Sequence, residues 1–284
     1  MEQFFLGLIT RCRDEFFIKE FCQYYLSQGI DKIFILDDDS LDKSIYNDIS
    51  NNPKIEIKYE KKVMFGNYGK QMLKVNQLYK QIKHNFKWII SIDVDEFITT
   101  KKNLNKTIRQ ELIDTFENYD CIKIPWVMMS CNGIEKSPKS ILNENIYRWN
   151  HDLKHPHPNN INKFRCRYKK NEVKCIFKTS SFNYIDIHNP KQPIIENPKV
   201  INSINLKEIK LNPFYKDLRE KDIKNGFLLC YHYRIISIEN CKKKLQNNCS
   251  YIKHKYTLED LMMSDHPEVI DKTLHNKVKN LNLI

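Results

Sequence analysis

A run of apolar residues that ends abruptly in acids constrains this chain more than any other feature. Residues 88–92 have the composition of a strand buried on both faces, and Asp93, Asp95 and Glu96 follow within four positions. Such strands lie inside parallel sheets, and open α/β sheets bind ligands at their carboxyl edge. Side chains at i and i+2 of an extended segment point the same way, so Asp93 and Asp95 can hold one hard divalent cation together. The run therefore predicts a metal and phosphate site at a sheet edge.

Strand-like and helix-like segments alternate along the first 125 residues. Apolar stretches typical of strands occupy residues 4–9, 32–36, 88–92 and 121–125, and residues 55–59 alternate between apolar and polar as a further strand would. Helical spacing marks residues 14–27, 70–83 and 107–116. Asp14 is placed to cap the start of the first helix, and Gly29 is placed to end it. This alternation predicts an α/β fold with a mostly parallel, doubly wound sheet that carries helices on both faces.

The pattern is less regular after residue 125. Residues 132–162 are rich in Pro, Asn and His, which predicts a long loop or an irregular subdomain. Strand character returns at residues 174–178, 184–188 and 227–233, and helical spacing returns at 237–246 and 257–263. No internal repeat or linker divides the chain, so we expect one domain over residues 1–250 and a helical tail over residues 251–284.

The composition sets limits on the class of protein. The net charge of +12 comes largely from scattered Lys without a basic block, which is typical of a solvated surface and would attract anionic nucleotide-sugars. We therefore expect no nucleic-acid partner.

Nine cysteines without a CxxC pair argue against a zinc site or a disulfide framework. No apolar run approaches 18 residues and no signal peptide is recognisable, so we expect a cytoplasmic protein without a transmembrane segment.

Charged residues also follow the first two strands. Asp37 and Asp38 come directly after the second strand, so they reach the same sheet edge as Asp93, where a carboxylate can bind ribose hydroxyls or a base N–H. A turn with a helix cap is the alternative interpretation of the acids at 39–42. Arg11 and Arg13 lie in the loop that opens the first helix, whose N-terminal N–H groups favour anions. Neither GxGxxG nor GxxxxGK[ST] occurs, which argues against a dinucleotide fold or a P-loop.

Two histidines are candidates for a further metal ligand. His188 ends a predicted strand, and His232 lies in a Tyr-His-Tyr-Arg segment. Neutral imidazole binds divalent metals, although a lone buried His is more often structural.

Other functions are compatible with parts of this pattern. An apolar strand followed by DxD also occurs in phosphatases of the haloacid dehalogenase type, where Asp93 would be the nucleophile, and a nucleotidyltransferase could use the same acids. Phe97 stands where the phosphatase pattern has Thr or Val, and two strand–helix units precede the strand instead of none. A basic nucleic-acid-binding or scaffold protein on an α/β fold is the third possibility, but acids at the crevice would repel phosphate unless a cation intervened.

Several segments, in order along residues 8–245, resemble the motifs of GT-A type glycosyltransferases, in particular the family 2-like and family 92-like enzymes. The matching segments are residues 13–15 (RDE), 19–21 (KEF), 28–30 (QGI), 37–42 (DDDSLD), Gln71, Trp88, 93–97 (DVDEF), 126–133 (WVMMSCNG), 174–188 and 232–244. The 126–133 segment departs from the family pattern, because Met129 and Ser130 stand near the usual Phe-Gly.

The resemblance implies a GT-A (Rossmann-like) fold with an irregular C-terminal acceptor region, and a UDP-sugar donor bound through Mn²⁺ or Mg²⁺. By motif position, Asp95 is the direct metal ligand, Asp93 contacts the metal, its water or the ribose, and Asp37 contacts the uridine. His232 or His188 completes the metal site. Further contacts to the nucleotide-sugar are expected from Thr10, Arg11, Arg13, Glu15, Asp38 and Gln71.

The resemblance also divides the domain by role. Residues 1–125 are expected to bind the nucleotide-sugar, and residues 126–250 are expected to complete the metal site and bind a glycan, protein or other hydroxyl acceptor. An inverting transfer needs a carboxylate base for the acceptor hydroxyl. Glu96 and Asp152 are the candidates for that base.

Overall fold

Strands and helices alternate through the first half of the chain, as the periodicity predicts. The computed structural model describes residues 4–60, 68–153, 171–215, 218–247 and 249–281. The strands are β1 (Phe4–Cys12), β2 (Lys32–Asp38), β3 (Ile55–Glu60), β4 (Phe86–Ser91), β5 (Glu96–Thr100), β6 (Cys121–Ser130), β7 (Tyr147–Arg148), β8 (Asn171–Lys178), β9 (Phe182–Ile185), β10 (Pro190–Pro193), β11 (Val200–Asn202), β12 (Phe214–Tyr215), β13 (Leu228–His232) and β14 (Val269–Ile270). The helices are α1 (Ile18–Ser27), α2 (Tyr68–Ile82), α3 (Ile108–Glu111), α4 (Ile141–Glu144), α5 (Glu220–Asn225), α6 (Ile238–Asn247), α7 (Cys249–Lys253), α8 (Leu258–Met262) and α9 (Thr273–Asn280).

The central sheet is parallel in the part that the first half of the chain builds. Its order there is β3-β2-β1-β4, and each neighbouring pair runs parallel. Beyond β4 the sheet becomes mixed, because β8 pairs antiparallel with both β4 and β6. β13 then pairs parallel with β6 and antiparallel with β5. The predicted α/β class with a mostly parallel sheet is confirmed. The periodicity indicates a strand at residues 174–178, but not that β8 runs antiparallel to its neighbours.

Both faces of the parallel sheet are covered, which explains why its strands read as continuous apolar runs. Along β4, Trp88 and Ile90 pack into one apolar cluster with α1, whereas Ile89 packs into a second cluster with α2. Successive side chains of a strand point to opposite faces, so the central positions of a strand between two helical layers are apolar on both faces. The predicted arrangement with helices on both faces is thus confirmed.

The first helix is shorter than predicted. It starts at Ile18, and Asp14 does not cap it. Asp14 instead adopts a left-handed backbone with φ of 54°, and its Oδ1 accepts hydrogen bonds from the N–H groups of Leu41 and Asp42 at 2.7 and 3.1 Å. The carboxylate therefore joins the loop after β1 to the loop after β2. Gly29 does follow the helix with φ of 89°, as expected.

The C-terminal segment, predicted as a helical tail over residues 251–284, packs against the rest of the domain. β14 pairs antiparallel with β7, and α9 packs on α4. Asp271 accepts a hydrogen bond from Arg148 Nε at 2.8 Å.

Residues 282–284 of the predicted tail and residues 154–162 of the predicted irregular region lie outside the described part. Within that part, no helix combines the length and apolarity needed to cross a bilayer.

Candidate active site

The ends of β1, β2 and β4 meet at one edge of the parallel sheet, as the sequence predicts for their polar residues. A cavity of about 500 Å³ opens there. The predicted site residues that line it are Arg11, Arg13, Glu15, Asp38, Gln71, Asp93, Asp95 and His232. The cavity lies beside β1, where the order of parallel strands reverses, and this is the usual ligand position in open α/β sheets.

The turn between β4 and β5 fixes both aspartates. The Glu96 N–H donates to the Asp93 carbonyl, and the Asp93 N–H donates to Glu96 Oε2, each at 3.1 Å. The Tyr233 N–H donates to the Asp95 carbonyl at 2.8 Å, which ties the turn to the end of β13. The backbone that carries the two carboxylates is therefore held from inside the protein.

Asp93 is engaged by cations on both of its oxygens. Arg11 Nη2 donates to Asp93 Oδ1 at 3.1 Å, and Lys174 Nζ donates to Asp93 Oδ2 at 2.8 Å. Burial opposes ionisation, but Lys174 and Arg11 outweigh it and hold the pKa of Asp93 well below the usual range. Arg11 also donates to Gln71, whose amide donates to Asp38 Oδ2 at 3.3 Å. Asp93 thus fixes the Arg11 guanidinium at the cavity.

Asp95 has a different arrangement. Lys244 Nζ donates to its Oδ2 at 2.8 Å, whereas its Oδ1 lies 3.7 Å from His232 Nε2. Burial raises the pKa of Asp95, but Lys244 and His232 outweigh this effect and lower it below the usual value. Asp95 is therefore ionised at neutral pH, with one oxygen on a lysine and the other beside an imidazole.

His232 is neutral at physiological pH. Burial lowers its pKa to about 4, because loss of hydration outweighs the attraction of Asp95. Its ring lies against Trp126 with centroids 4.3 Å apart, and Nδ1 has no hydrogen-bond partner among the residues that the structure describes. A neutral imidazole with Nε2 next to an ionised carboxylate is the protonation state that metal ligands require.

The donor set is compatible with a divalent cation that also binds a phosphate. Asp95 Oδ1 and His232 Nε2 are an oxygen and a nitrogen of residues on the cavity wall, 3.7 Å apart. Within the described ranges, no three His, Cys, Asp or Glu side chains form a metal cluster. Two protein ligands leave most of the coordination sphere of Mn²⁺ or Mg²⁺ to water and substrate oxygens, which is usual for metals that act on phosphates.

Glu15 is a further carboxylate on the cavity wall. Burial raises its pKa to about 7, against the opposing effect of Lys244, and the charges of Asp95, Asp14 and Asp93 raise it further. Glu15 is thus placed to gain and lose a proton near neutral pH.

Two of the predicted nucleotide contacts lie behind the cavity. Asp37 is fully buried, and its oxygens accept hydrogen bonds from Tyr46 Oη at 2.6 Å, from Lys43 and from the Ser40 N–H. Thr10 is also buried, and its hydroxyl donates to the Arg11 carbonyl at 3.4 Å. In the structure it is therefore Asp38 that faces the cavity at the end of β2.

Three other predicted site residues are also apart from the cavity wall. Glu96 is buried with Oε2 at 3.2 Å from Lys174 Nζ, and burial raises its pKa well above the usual value. Asp152 is exposed, and its Oδ1 accepts a hydrogen bond from the Glu220 N–H at 3.2 Å. His188 Nε2 lies 3.5 Å from Glu172 Oε1. The roles of Glu96 and Asp152 as base and of His188 as metal ligand stay predictions without support from this geometry.

Several residues that the structure brings to the site had no predicted role. Lys174 is the one charged residue in the otherwise apolar stretch 173–177 of β8, and that exception to the pattern could have marked it. Lys244 is the last residue of a Lys-Lys-Lys run, so no local signal distinguishes it from its neighbours. The C-terminal half also supplies wall residues, namely Asn247, Tyr251, Lys253 and His254.

Comparison with known proteins places the chain in a family. The solved structures of S. aureus TarS 1-349 resemble it weakly. The complex with UDP-GlcNAc is 15% identical in sequence, with a TM-score of 0.39, and the match covers 66% of this chain and 48% of that chain. The complex with UDP is 14% identical, with a TM-score of 0.36, and the match covers 66% of this chain and 50% of that chain. The chain thus matches about half the length of these two structures. No curated protein matches it. The family model of glycosyltransferase family 92 matches residues 16–274, so the chain belongs to glycosyltransferase family 92.

Proposed function

We propose that this chain transfers a sugar from a UDP-sugar to a hydroxyl of a glycan or protein, with Mn²⁺ or Mg²⁺ bound to the donor diphosphate. The observation that carries the proposal is the composition of the cavity at the sheet edge. There an ionised Asp95 and a neutral His232 stand beside a fixed guanidinium of Arg11. Membership of family 92 supports the reaction class, and UDP is the nucleotide that the motif resemblance implies.

Asp95 and His232 would hold the cation, because they present one oxygen and one nitrogen to the cavity. A divalent cation on the diphosphate neutralises the charge that grows on the leaving group. Asp93 has a different role in this proposal, since both of its oxygens are engaged by Lys174 and Arg11. It holds Arg11 where a guanidinium can bind diphosphate oxygens.

Glu15 supports the acceptor step better than Glu96 or Asp152, because it lies on the cavity wall. A general base works best when its pKa lies near the working pH, and the pKa of Glu15 is about 7. We therefore propose Glu15 as the group that receives the acceptor proton if the anomeric centre inverts.

Donor hydrolysis tests the proposal without knowledge of the acceptor. The purified chain would be incubated with a panel of nucleotide-sugars and Mn²⁺, and the released nucleoside diphosphate would be measured. We expect hydrolysis of at least one UDP-sugar, a loss of about 100-fold in Asp95→Asn, and no change in Asp48→Asn, whose side chain is exposed at the far end of a surface ion pair. Absence of turnover and of binding with every nucleotide-sugar would overturn the proposal.

A further inference from the structure

Lys244 is a buried cation that faces the active site from α6. Its Nζ donates to Asp95 Oδ2 at 2.8 Å and to the Arg234 carbonyl at 3.2 Å. Only 10% of its side chain is exposed, yet it lines the cavity. The backbone carbonyl fixes the ammonium group, so Lys244 engages a chosen oxygen of Asp95 rather than sampling both.

Because of this contact, the two oxygens of Asp95 have different neighbours. Oδ2 accepts the hydrogen bond from Lys244, whereas Oδ1 lies 3.7 Å from His232 Nε2. Asp95 and His232 together carry one negative charge, and Lys244 cancels it. Asp95, His232 and Lys244 together therefore carry no net charge, whereas a bound diphosphate would add several negative charges at the same place.

We propose that Lys244 is a positioning residue and internal counter-ion for Asp95. It orients Oδ1 toward His232 and lowers the affinity of the site for a free divalent cation, so that the cation enters together with the donor diphosphate. This inference rests on the proposed function, because it requires that Asp95 and His232 bind a cation at all.

The neighbouring lysine provides a matched control. Lys243 lies one position earlier on α6, its side chain is 59% exposed, and it pairs with Glu239 at 3.8 Å. Lys243→Gln and Lys244→Gln remove the same charge from the same helix, but only Lys244→Gln removes it from Asp95. Lys244→Arg keeps the charge with a different head group.

The test measures Mn²⁺ affinity by electron paramagnetic resonance, first without nucleotide and then with UDP. Without nucleotide, we expect Lys244→Gln to bind Mn²⁺ about tenfold more tightly than the wild type, because a unit charge next to the site is gone. Lys243→Gln and Lys244→Arg are expected to stay within about threefold of the wild type. A merely structural lysine would give the opposite sign, since its loss would loosen Asp95 and weaken binding.

The outcomes separate this inference from the proposed function. If the wild type binds Mn²⁺ with UDP but Lys244→Gln shows equal or weaker affinity for free Mn²⁺, the inference is wrong and the proposed function stands. If the wild type binds no Mn²⁺ even with UDP, both are overturned. Should Lys244→Gln fail to fold by circular dichroism, a tenfold change in Lys244→Arg would still overturn the inference, and unchanged binding would support it.

Discussion

At the scale of single residues, each aspartate of the β4–β5 turn is held by its own buried lysine. Lys174 reaches Asp93 from β8, and Lys244 reaches Asp95 from α6. Three acids after an apolar strand would be costly to bury without such partners. The two lysines explain how the sequence 93–96 can be folded into the sheet edge and still leave Asp95 Oδ1 at the cavity.

Loss of the Lys174 charge should destabilise the protein strongly. Lys174 lies 2.8 Å from Asp93 Oδ2 and 3.2 Å from Glu96 Oε2, and its side chain is almost fully buried. Lys174→Met leaves Glu96 without its cation and leaves Asp93 with Arg11 alone, and we expect the free energy of unfolding to fall by about 3 kcal/mol in urea denaturation. Lys87→Met, which breaks an exposed pair with Glu117, should cost less than about 1 kcal/mol. Equal losses in both variants would contradict this assignment.

His232 should make stability depend on pH in a defined direction. Its folded pKa of about 4 lies below the ordinary 6.5, so the folded state favours the neutral ring. The contribution of neutral His232 to the free energy of unfolding is fully present above pH 6.5 and is lost as the pH falls through 6.5 toward 4. Between pH 7.5 and 5, we expect the wild type to lose about 2 kcal/mol more than His232→Gln in urea unfolding. Glu15 titrates in both proteins, so the difference between their free energies of unfolding reports on His232. Identical pH profiles of the two proteins would refute the assignment.

Some site residues could be predicted from sequence and others could not, for a physical reason. Asp93 and Asp95 follow a strand whose burial fixes where they point, so the strand pattern alone places them at the cavity. At the end of β2 the choice between Asp37 and Asp38 depends on Tyr46 and Lys43, which bind Asp37 from a later turn. Contacts of this kind leave no periodic trace in the sequence.

At the scale of elements, the ends of helices are decided by contacts outside them. The sequence predicts the end of α1 at Gly29, because only Gly adopts a positive φ without strain. It places the start four residues too early, because Asp14 bonds to the loop after β2 instead of capping the helix. A local capping signal was thus overridden by a contact with a segment 27 residues away.

A pair of glycine substitutions measures the role of Gly29 in packing. Gly29 and Gly133 both have positive φ, of 89° and 70°. A Cβ on Gly29 would lie 2.7 Å from Arg109 Cβ, whereas a Cβ on Gly133 would meet nothing within 4 Å. We expect Gly133→Ala to cost about 1 kcal/mol and Gly29→Ala at least about twice that in thermal unfolding. Equal losses would show that the contact with Arg109 carries no energy.

At the scale of the whole molecule, the predicted fold class and family are confirmed, but long-range pairing was beyond the sequence pattern. The alternation over residues 1–125 predicts the parallel strands, because each strand–helix unit is local. The insertion of β8 between β4 and β6 joins segments about 50 to 90 residues apart, and no local signal specifies it. The pairing of β14 with β7 is another long-range contact that no local signal specifies.

The C-terminal segment should be part of the cooperative fold. Asp271 accepts hydrogen bonds from Arg148 Nε at 2.8 Å and from Tyr231 Oη at 3.1 Å, and all three residues are buried. Asp271→Ala leaves three buried donors, Arg148 Nε, Tyr231 Oη and the Thr273 N–H, without their acceptor, although Arg148 keeps its pair with Glu220. We expect a loss of about 3 kcal/mol in a single unfolding transition. Asp114→Ala, at an exposed pair, should cost less than about 1 kcal/mol. A separate early transition for the C-terminal segment would contradict this account.

The most direct test of the central claim is calorimetric titration of UDP into the wild type and Asp95→Asn, each with Mn²⁺ and with EDTA. We expect the wild type to bind UDP with Mn²⁺ and to lose at least about tenfold in affinity with EDTA, because Asp95 and His232 would hold the cation on the diphosphate. Asp95→Asn should bind UDP weakly under both conditions. UDP affinity that is the same with Mn²⁺ and EDTA, or that survives Asp95→Asn, would contradict the account.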